Sequence, residues 1–327
     1  MTDIFNWGIL GPGRIAHRFA TDLKRLPDAR LLAIGSRDES RAAAFASEFG
    51  AERVYGSYNA LVADPDVQAI YVATPHPLHL ETAQLCLAHG KAVLCEKPLT
   101  ATLAQAEALV ASARQHGVFL MEAMWTRFIP VITQVCAWLA EGRIGEPRLL
   151  TADFGFRAEV NPSARLFSPA LAGGALLDVG VYVVSLAQMV FGSAPVQMQA
   201  VAALGATGVD EQTALSLRFA DGGLAALTCA IRTNTPQLAR IDGTAGRITI
   251  PAFWHATEAT LEPQGGEAIT IQGDAGYQYE AAEVMACVRA GRVESAIMPL
   301  DESLAIAATL DAARGQVGVR YPFEVTP

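Results

Sequence analysis

The feature that most constrains this chain is an alternation that fills its first 125 residues, in which short β-branched or aliphatic runs are separated by amphipathic stretches. Parallel strands cannot be joined by a tight turn, so this pattern predicts a parallel sheet with crossover helices. Six strands are expected, at Phe5–Gly11, Ala29–Ser36, Arg53–Tyr55, Ala69–Thr74, Ala92–Glu96 and Val118–Met121. Between the first two, Ile15, Phe19 and Leu23 recur every fourth residue with charges on the other face, which predicts a helix over Arg14–Leu23 packed on the sheet. Gly50, Gly90 and Gly117 each fall where a left-handed cap would end a helix before the next strand.

Beyond about residue 125 the order changes. A helix at Pro130–Ala140, a strand at Arg148–Arg157, a Gly173-Gly174 stretch and a helix through Phe191 lead into consecutive strands with no helices between them. These are expected at Val196–Leu204, Thr213–Phe219, Leu224–Ile231, Leu238–Asp242, Arg247–Ile250 and Thr257–Leu261, with hairpin turns at Asp221-Gly222-Gly223 and Gly243–Gly246. Helices near Tyr277–Ala290 and Asp301–Ala313 finish the chain. At 327 residues the chain is long for one core, and the reading is two domains, 1–124 and 125–327. The first is α/β; the second is α+β, built on a large, mostly antiparallel sheet with helices on one face. Its other, open face carries alternating apolar residues and is expected to be covered by a partner subunit, giving a homodimer or higher oligomer.

Composition excludes several classes. With 51% hydrophobic and 17% charged residues the chain has a core to bury and lacks the polarity of disorder. The balance of 24 basic against 33 acidic residues opposes nucleic acid and anionic lipid as partners. The most apolar run, Ala175–Gly192, contains Asp178 and Gln188 and reads as a core helix rather than a membrane span. The start, Met1-Thr2-Asp3-Ile4-Phe5-Asn6-Trp7, lacks the basic flank and apolar segment of a secretory signal. The five cysteines (Cys86, Cys95, Cys136, Cys229, Cys287) form no CxxC, so reduced thiols in a cytoplasm are expected.

Chemistry enters with Gly11-Pro12-Gly13-Arg14-Ile15-Ala16, a GxGxxA match that follows a strand and opens a helix. In that context the backbone amides and the helix N-terminus face a pyrophosphate, as in the doubly wound Rossmann arrangement, with Arg14 adding a cationic contact. The second strand ends in Ser36 and Arg37 where an acid would accept an NAD ribose hydroxyl, which favours NADP(H) over NAD(H). The other reading gives Asp38 the ribose and leaves Arg37 solvated. Two further strand ends, Thr74-Pro75-His76-Pro77-Leu78-His79 and Glu96-Lys97-Pro98, lie where open α/β sheets bind ligands. His76 and His79 orient the cofactor or cap the next helix rather than bind metal, because no acid or thiol accompanies them at ligand spacing.

With Arg165 and Gly173-Gly174-Ala175-Leu176-Leu177-Asp178-Val179-Gly180-Val181-Tyr182 added, the chain resembles the Gfo/Idh/MocA oxidoreductase family over most of both domains. Tyr182 stands where the family usually has His. That departure, with Glu122–Phe128 and Ala152–Phe156, looks most like the branch of dimeric dihydrodiol dehydrogenase and NADP-dependent D-xylose dehydrogenases. The resemblance implies a cis peptide before Pro98, Lys97 aimed at the substrate, an Arg165 that reaches the cofactor, and dimerisation through the open sheet.

The residue chemistry agrees. Gly174, Asp178 and Tyr182 at i, i+4 and i+8 would share one helix face. Tyr182 suits general acid/base work on an alcohol or carbonyl, its ordinary pKa of about 10 lowered by nearby positive charge. Lys97 polarises the substrate oxygen, Asp178 orients Lys97 or the substrate, and Glu96 supports the nicotinamide or ribose. Trp125, Phe154 and Phe156 are candidate walls for a sugar, polyol or cyclic diol; core packing explains each equally well. The expectation is an NADP(H)-dependent enzyme acting on CH–OH groups, against two alternatives: a catalytically silent NADP sensor on the same fold, and an oxidoreductase that recycles a permanently bound cofactor.

Overall fold

In the computed structural model, which describes residues 3–324, two sheets form. The chain divides into two compact units, the first taking Met1–Trp125 and Gly276–Leu304 and the second Thr126–Ala275 and Ala305–Pro327. The single boundary expected at 124/125 therefore misses a return: Gly276–Leu304 belongs with the first unit. The helix in that segment carries a buried stripe of Ala281, Val284, Met285 and Cys287 and finds its partners there.

The first unit alternates β1 (Phe5–Leu10), α1 (Arg14–Leu23), β2 (Ala29–Gly35), α2 (Glu39–Phe49), β3 (Arg53–Tyr55), α3 (Tyr58–Val62), β4 (Ala69–Val72), α4 (His79–Ala88), β5 (Ala92–Glu96), α5 (Leu103–His116) and β6 (Leu120–Ala123). All neighbours in the sheet are parallel, in the order β3-β2-β1-β4-β5-β6. That order reverses direction between β1 and β4, and ligands of such sheets bind at the strand ends of this switch point. Every residue of β4, β5 and β6 is buried, as strands covered on both faces must be. Gly50, Gly90 and Gly117 are left-handed as expected. The sixth strand begins two residues late because the Val118 amide closes the α5 cap on the Ala113 carbonyl, at 3.2 Å.

The second unit holds α6 (Pro130–Ala140), β7 (Pro147–Gly155), α7 (Val181–Phe191), β8 (Gln197–Leu204), β9 (Asp210–Arg218), β10 (Leu224–Ala230), β11 (Ala239–Gly243), β12 (Gly246–Ile250), β13 (Glu258–Pro263) and β14 (Ile269–Gln272). The eight strands run β14-β13-β12-β11-β7-β10-β9-β8, antiparallel except where β7 meets β10. β14 escapes the sequence reading because an edge strand with little buried surface shows no alternation. β7 ends at Gly155, so Phe156 and Arg157 lie past it, Arg157 in an isolated bridge with Arg232.

In β9 and β10 alternate residues are buried, and α7 packs on β7 and β10. The other face shows Leu149, Thr151, Ala214, Ser216, Leu224 and Ala226 to solvent. The helical run Pro169–Phe191 is long and apolar enough by composition to cross a membrane, yet 89% of its apolar window is buried inside the fold. Two further helices, α8 (Gln278–Arg289) in the first unit and α9 (Leu300–Val317), complete the chain; the unit boundary at Leu304 falls within α9.

Candidate active site

In the first unit, the turn between β1 and α1 is shaped to take a phosphate. Gly11 adopts φ +88°, and a Cβ there would lie 2.8 Å from the Ala73 carbonyl, so only glycine lets the turn pack on the end of β4. A Cβ on Gly13, the α1 N-cap, would meet nothing nearer than the Gly11 carbonyl at 3.9 Å, leaving room for a ligand. No side chain caps this helix and no acid sits in its first turn, so its leading amides suit an anion. Ile15 is half-buried and Ala16 fully buried beneath them, while Arg14 is exposed.

At the end of β2, the buried Ser36 accepts from the Asp38 amide at 3.1 Å. Asp38 caps α2, accepting from the Ser40 and Arg41 amides at 3.1 and 3.4 Å and from the Ser40 hydroxyl at 2.6 Å, which holds its carboxyl below the usual range. All three of these bonds fall on Oδ1. Arg37 is exposed beside it, and Arg41, a residue the sequence reading passed over, reaches the Pro12 carbonyl at 3.5 Å. The Arg41 guanidinium thus stands by the glycine turn.

The loop after β5 carries Lys97 and is fixed residue by residue. Tyr71 on β4 donates its hydroxyl to Glu96; burial first, then the Glu96 charge, pushes that phenol far up, so it acts as donor only. The Lys97–Pro98 peptide is cis, as the resemblance implied. His79 sets Nδ1 against the Pro98 carbonyl and Nε2 against the Thr74 carbonyl, both at 2.9 Å, and the Leu99 amide donates to Glu122 at 2.8 Å. Burial lowers the His79 pKa against the pull of these carbonyls, and only the protonated ring donates to both of them. His79 is therefore a brace behind the Thr74–Pro75 and Lys97–Pro98 loops and not a surface that a cofactor touches, since it is wholly buried. His76, nearly as buried, stands edge-on to it at 5.5 Å.

Beneath this loop, Glu280 on α8 is fully buried with neither carboxyl oxygen hydrogen-bonded, and burial together with the Glu96 charge pushes its pKa far up. Trp125 stacks on Tyr277 at 4.6 Å, and the Tyr277 amide donates to Asp22 at 2.8 Å.

In the second unit, the Gly173–Tyr182 stretch departs from the expected register. Gly174 has φ +119° and precedes the helix, and Leu176–Gly180 forms a π turn before α7 begins at Val181. The i→i+5 bonding of a π turn widens the helix, so Gly174, Asp178 and Tyr182 do not share an α-helical face. Arg165, expected at the cofactor, pairs with Asp178 at 2.8 Å. Tyr182 is 6% exposed, its ring edge-on to Phe154 at 5.3 Å and to Trp254 at 6.3 Å.

Phe154 and Trp254 stack at 4.8 Å. The indole is fixed by donating Nε1–H to Gln237 at 2.8 Å, and the Gln237 amide donates in turn to Asp153 at 2.6 Å. Of the three aromatic residues proposed as walls, only Phe154 is placed against Tyr182 by these contacts. Phe156 is half-buried beyond the end of β7.

Comparison with known proteins accords with this geometry. Residues 5–124 match an oxidoreductase family with an NAD-binding Rossmann fold, and residues 132–249 match the Gfo/Idh/MocA C-terminal domain. The chain belongs to the Gfo/Idh/MocA oxidoreductase family. Within it, trans-1,2-dihydrobenzene-1,2-diol dehydrogenase of Mus musculus is 39% identical over 97% of this chain and 98% of its own length, and that of Homo sapiens 37% over the same shares. A 3-ketoreductase from Actinomadura kijaniata, solved with NADP and TDP-benzene, superposes with a TM-score of 0.84 at 32% identity, covering 96% of this chain and 98% of that one. The aldose-aldose oxidoreductase of Caulobacter crescentus, solved with glycerol, gives 0.88 at 25% identity over the same shares. This Gfo/Idh/MocA chain is accordingly an oxidoreductase of CH–OH groups that uses a nicotinamide dinucleotide.

Four functional candidates lay outside the sequence reading: Arg41, Gln237, Trp254 and Asp210. Arg41 had a signal, being a second basic residue in the first turn of the helix that follows Arg37. The contrast between the two glycines yields a test. Gly13→Ala keeps the wild-type melting temperature, because its methyl meets no protein atom closely, yet weakens dinucleotide binding about tenfold or more by intruding on the phosphate; fluorescence titration beside a thermal melt measures both.

Proposed function

We propose that this chain is an NADP(H)-dependent oxidoreductase that interconverts a secondary alcohol and a carbonyl on a cyclic trans-diol, sugar or polyol. The observation that carries the reading is Tyr182, a phenol next to a π turn and set among the Phe154 and Trp254 rings. Its hydroxyl is suited to exchange a proton with a substrate oxygen. The flat aromatic surfaces fit an unsaturated ring or the C–H face of a sugar. The vertebrate relatives named for a dihydrobenzene-diol and the sugar-active structural neighbour support those substrate classes.

The nicotinamide, when bound, takes or gives the hydride at C4. Tyr182 donates a proton to the carbonyl oxygen in reduction and removes it from the alcohol in oxidation. Lys97, the half-buried residue of an otherwise buried and braced loop, polarises that oxygen with its ammonium group. Asp178, its carboxylate held by Arg165, accepts from a substrate hydroxyl. Arg37 and Arg41 favour NADP by meeting the 2′-phosphate, and Ser36, standing where an NAD site would place an acid, supports this choice. The open face of the second sheet, with Leu149 and Leu224 paired in register on it, is assigned to a homodimer. No disulfide joins the described residues and four of the five cysteines are buried, which fits a reducing cytoplasm.

On a panel of dihydrodiols, aldoses and inositols followed by NADPH absorbance, Tyr182→Phe should lose about 10²- to 10⁴-fold in kcat and Lys97→Met about 10²-fold, with NADPH binding kept. Near-normal rates in both overturn the reading. Arg37→Ala should weaken NADPH about tenfold and leave NADH unchanged, whereas equal losses for both would remove the phosphate contact. Light scattering should find a dimer that Leu149→Glu converts to monomer; a wild-type monomer discards the open-sheet interface.

A further inference from the structure

We propose that Asp210 is a positioning residue for the reaction: its buried carboxylate fixes the start of the π turn that carries Asp178 and leads into Tyr182. The proposal builds on the roles assigned above to those two residues and adds the group that sets their backbone.

Asp210 opens β9 and is 1% exposed. Its Oδ2 accepts from the Leu176 amide, the first residue of the π turn, at 2.7 Å and from the Thr213 hydroxyl at 2.9 Å. A Cβ on Gly174 would fall on Oδ1, so the glycine, already at φ +119°, is what lets the carboxylate lie against the main chain there. At the other end of the turn, Gly180 packs on Cys229 of β10, where a Cβ would come within 3.1 Å of the sulfur. Behind Gly173, the Tyr321 hydroxyl donates to its carbonyl at 3.2 Å. The turn is thus seated on β9 and β10, with Asp210 the ionisable acceptor at its first amide.

Burial pushes the Asp210 carboxyl up to about 7, against the pull of the Thr213 and Leu176 hydrogen bonds. The groups facing it are poor at moving a proton near neutrality. Cys229 and Tyr321 are each pushed well up by burial and then by the Asp210 charge, and Arg314 stands over the far side of the Tyr321 ring at 4.9 Å with Asp311 and Glu324 as its partners. On its own strand, the neighbouring Glu211 pairs with Arg232 at 2.9 Å. Around pH 7 the carboxyl therefore passes from a neutral acceptor to a charged one, and the charged form grips the Leu176 amide more strongly.

The sign of the stability effect differs from that of the rate. A carboxyl whose folded pKa is raised contributes most to stability below the ordinary carboxyl pKa, and the contribution falls as pH rises to about 7. Ionised Asp210 thus costs stability while it orders the turn. Asp210→Asn keeps the shape and removes the charge, so it should be at least as stable as wild type above about pH 7 and yet slower, a pairing that a merely structural residue would not produce.

The test follows kcat against pH for full-length wild type, Asp210→Asn, Thr213→Val and Tyr182→Phe, with thermal melts and NADPH affinity alongside. Wild type should show a rise in kcat centred near pH 7. Asp210→Asn should lose that rise, stay near the acid limb of wild type and fall about tenfold below it on the alkaline side, with NADPH affinity kept. Thr213→Val, which removes a stabilising donor, should move the rise to higher pH. A wild-type profile and rate in Asp210→Asn, with Tyr182→Phe inactive, overturns the Asp210 role alone. Full activity in Tyr182→Phe overturns the underlying reading and the Asp210 role with it.

Discussion

Where a parallel strand ends, its main chain leaves the ladder with polar groups that still need partners, and the rest of this structure depends on how they are supplied. In the first unit the partners are buried side chains brought from neighbouring strands and helices: His79 for the carbonyls of Thr74 and Pro98, and Glu122 for the Leu99 amide. A buried polar group left unmet costs about 1 to 3 kcal/mol, so the loop bearing Lys97 has little freedom to rearrange. Tyr71 anchors Glu96 directly beside it. The backbone that bears the ammonium is fixed, and a loop held in this way spends little entropy on positioning when substrate arrives.

The second unit meets the same constraint with a longer relay. Asp153 accepts from the amides of Gln237 and Leu238, and Gln237 passes order on by donating to the Gly155 carbonyl and accepting from the Trp254 indole. Gln237 sits at φ +58°, a conformation that costs a non-glycine residue about 1 to 3 kcal/mol. Four hydrogen bonds around one residue and its neighbour over-determine that backbone, and the effect is to aim an aromatic ring at Phe154 and Tyr182. Strain here is coupled to a wall of the candidate site.

The sequence shows where the strands and the glycine turn lie because both are written in local order: β-branched runs bounded by caps, and two glycines at fixed offsets. It does not show the supports. Asp210 and Leu176 are separated by 34 residues, Asp153 and Gln237 by 84, and no periodicity links such pairs. The π turn escapes for a different reason. Its residues, Leu176-Leu177-Asp178-Val179-Gly180, read as ordinary helix by propensity, and only the seating of Gly180 on Cys229 and Leu176 on Asp210 widens the turn. The pairing of Arg165 with Asp178 is likewise invisible to the sequence, since 13 residues of irregular chain and turn separate the two. The return of Gly276–Leu304 to the first unit is equally silent, since a helix stripe records that a face is buried but not against what.

The charge of the chain also separates into two scales. A formal net charge of −9 repels a phosphorylated cofactor at a distance, yet that field is screened over about 8 Å in physiological salt. Within that range the first 50 residues decide, and they carry seven basic against six acidic side chains. Several of those acids are already committed: Asp38 to the α2 cap, Asp28 to Arg289 and Glu48 to His17. Arg14, Arg37 and Arg41, together with the uncapped start of α1, therefore set the local sign. Recognition of the dinucleotide is left to short-range complementarity at the turn rather than to long-range steering, which is the arrangement an acidic protein needs if it is to bind one small polyanion and reject large ones.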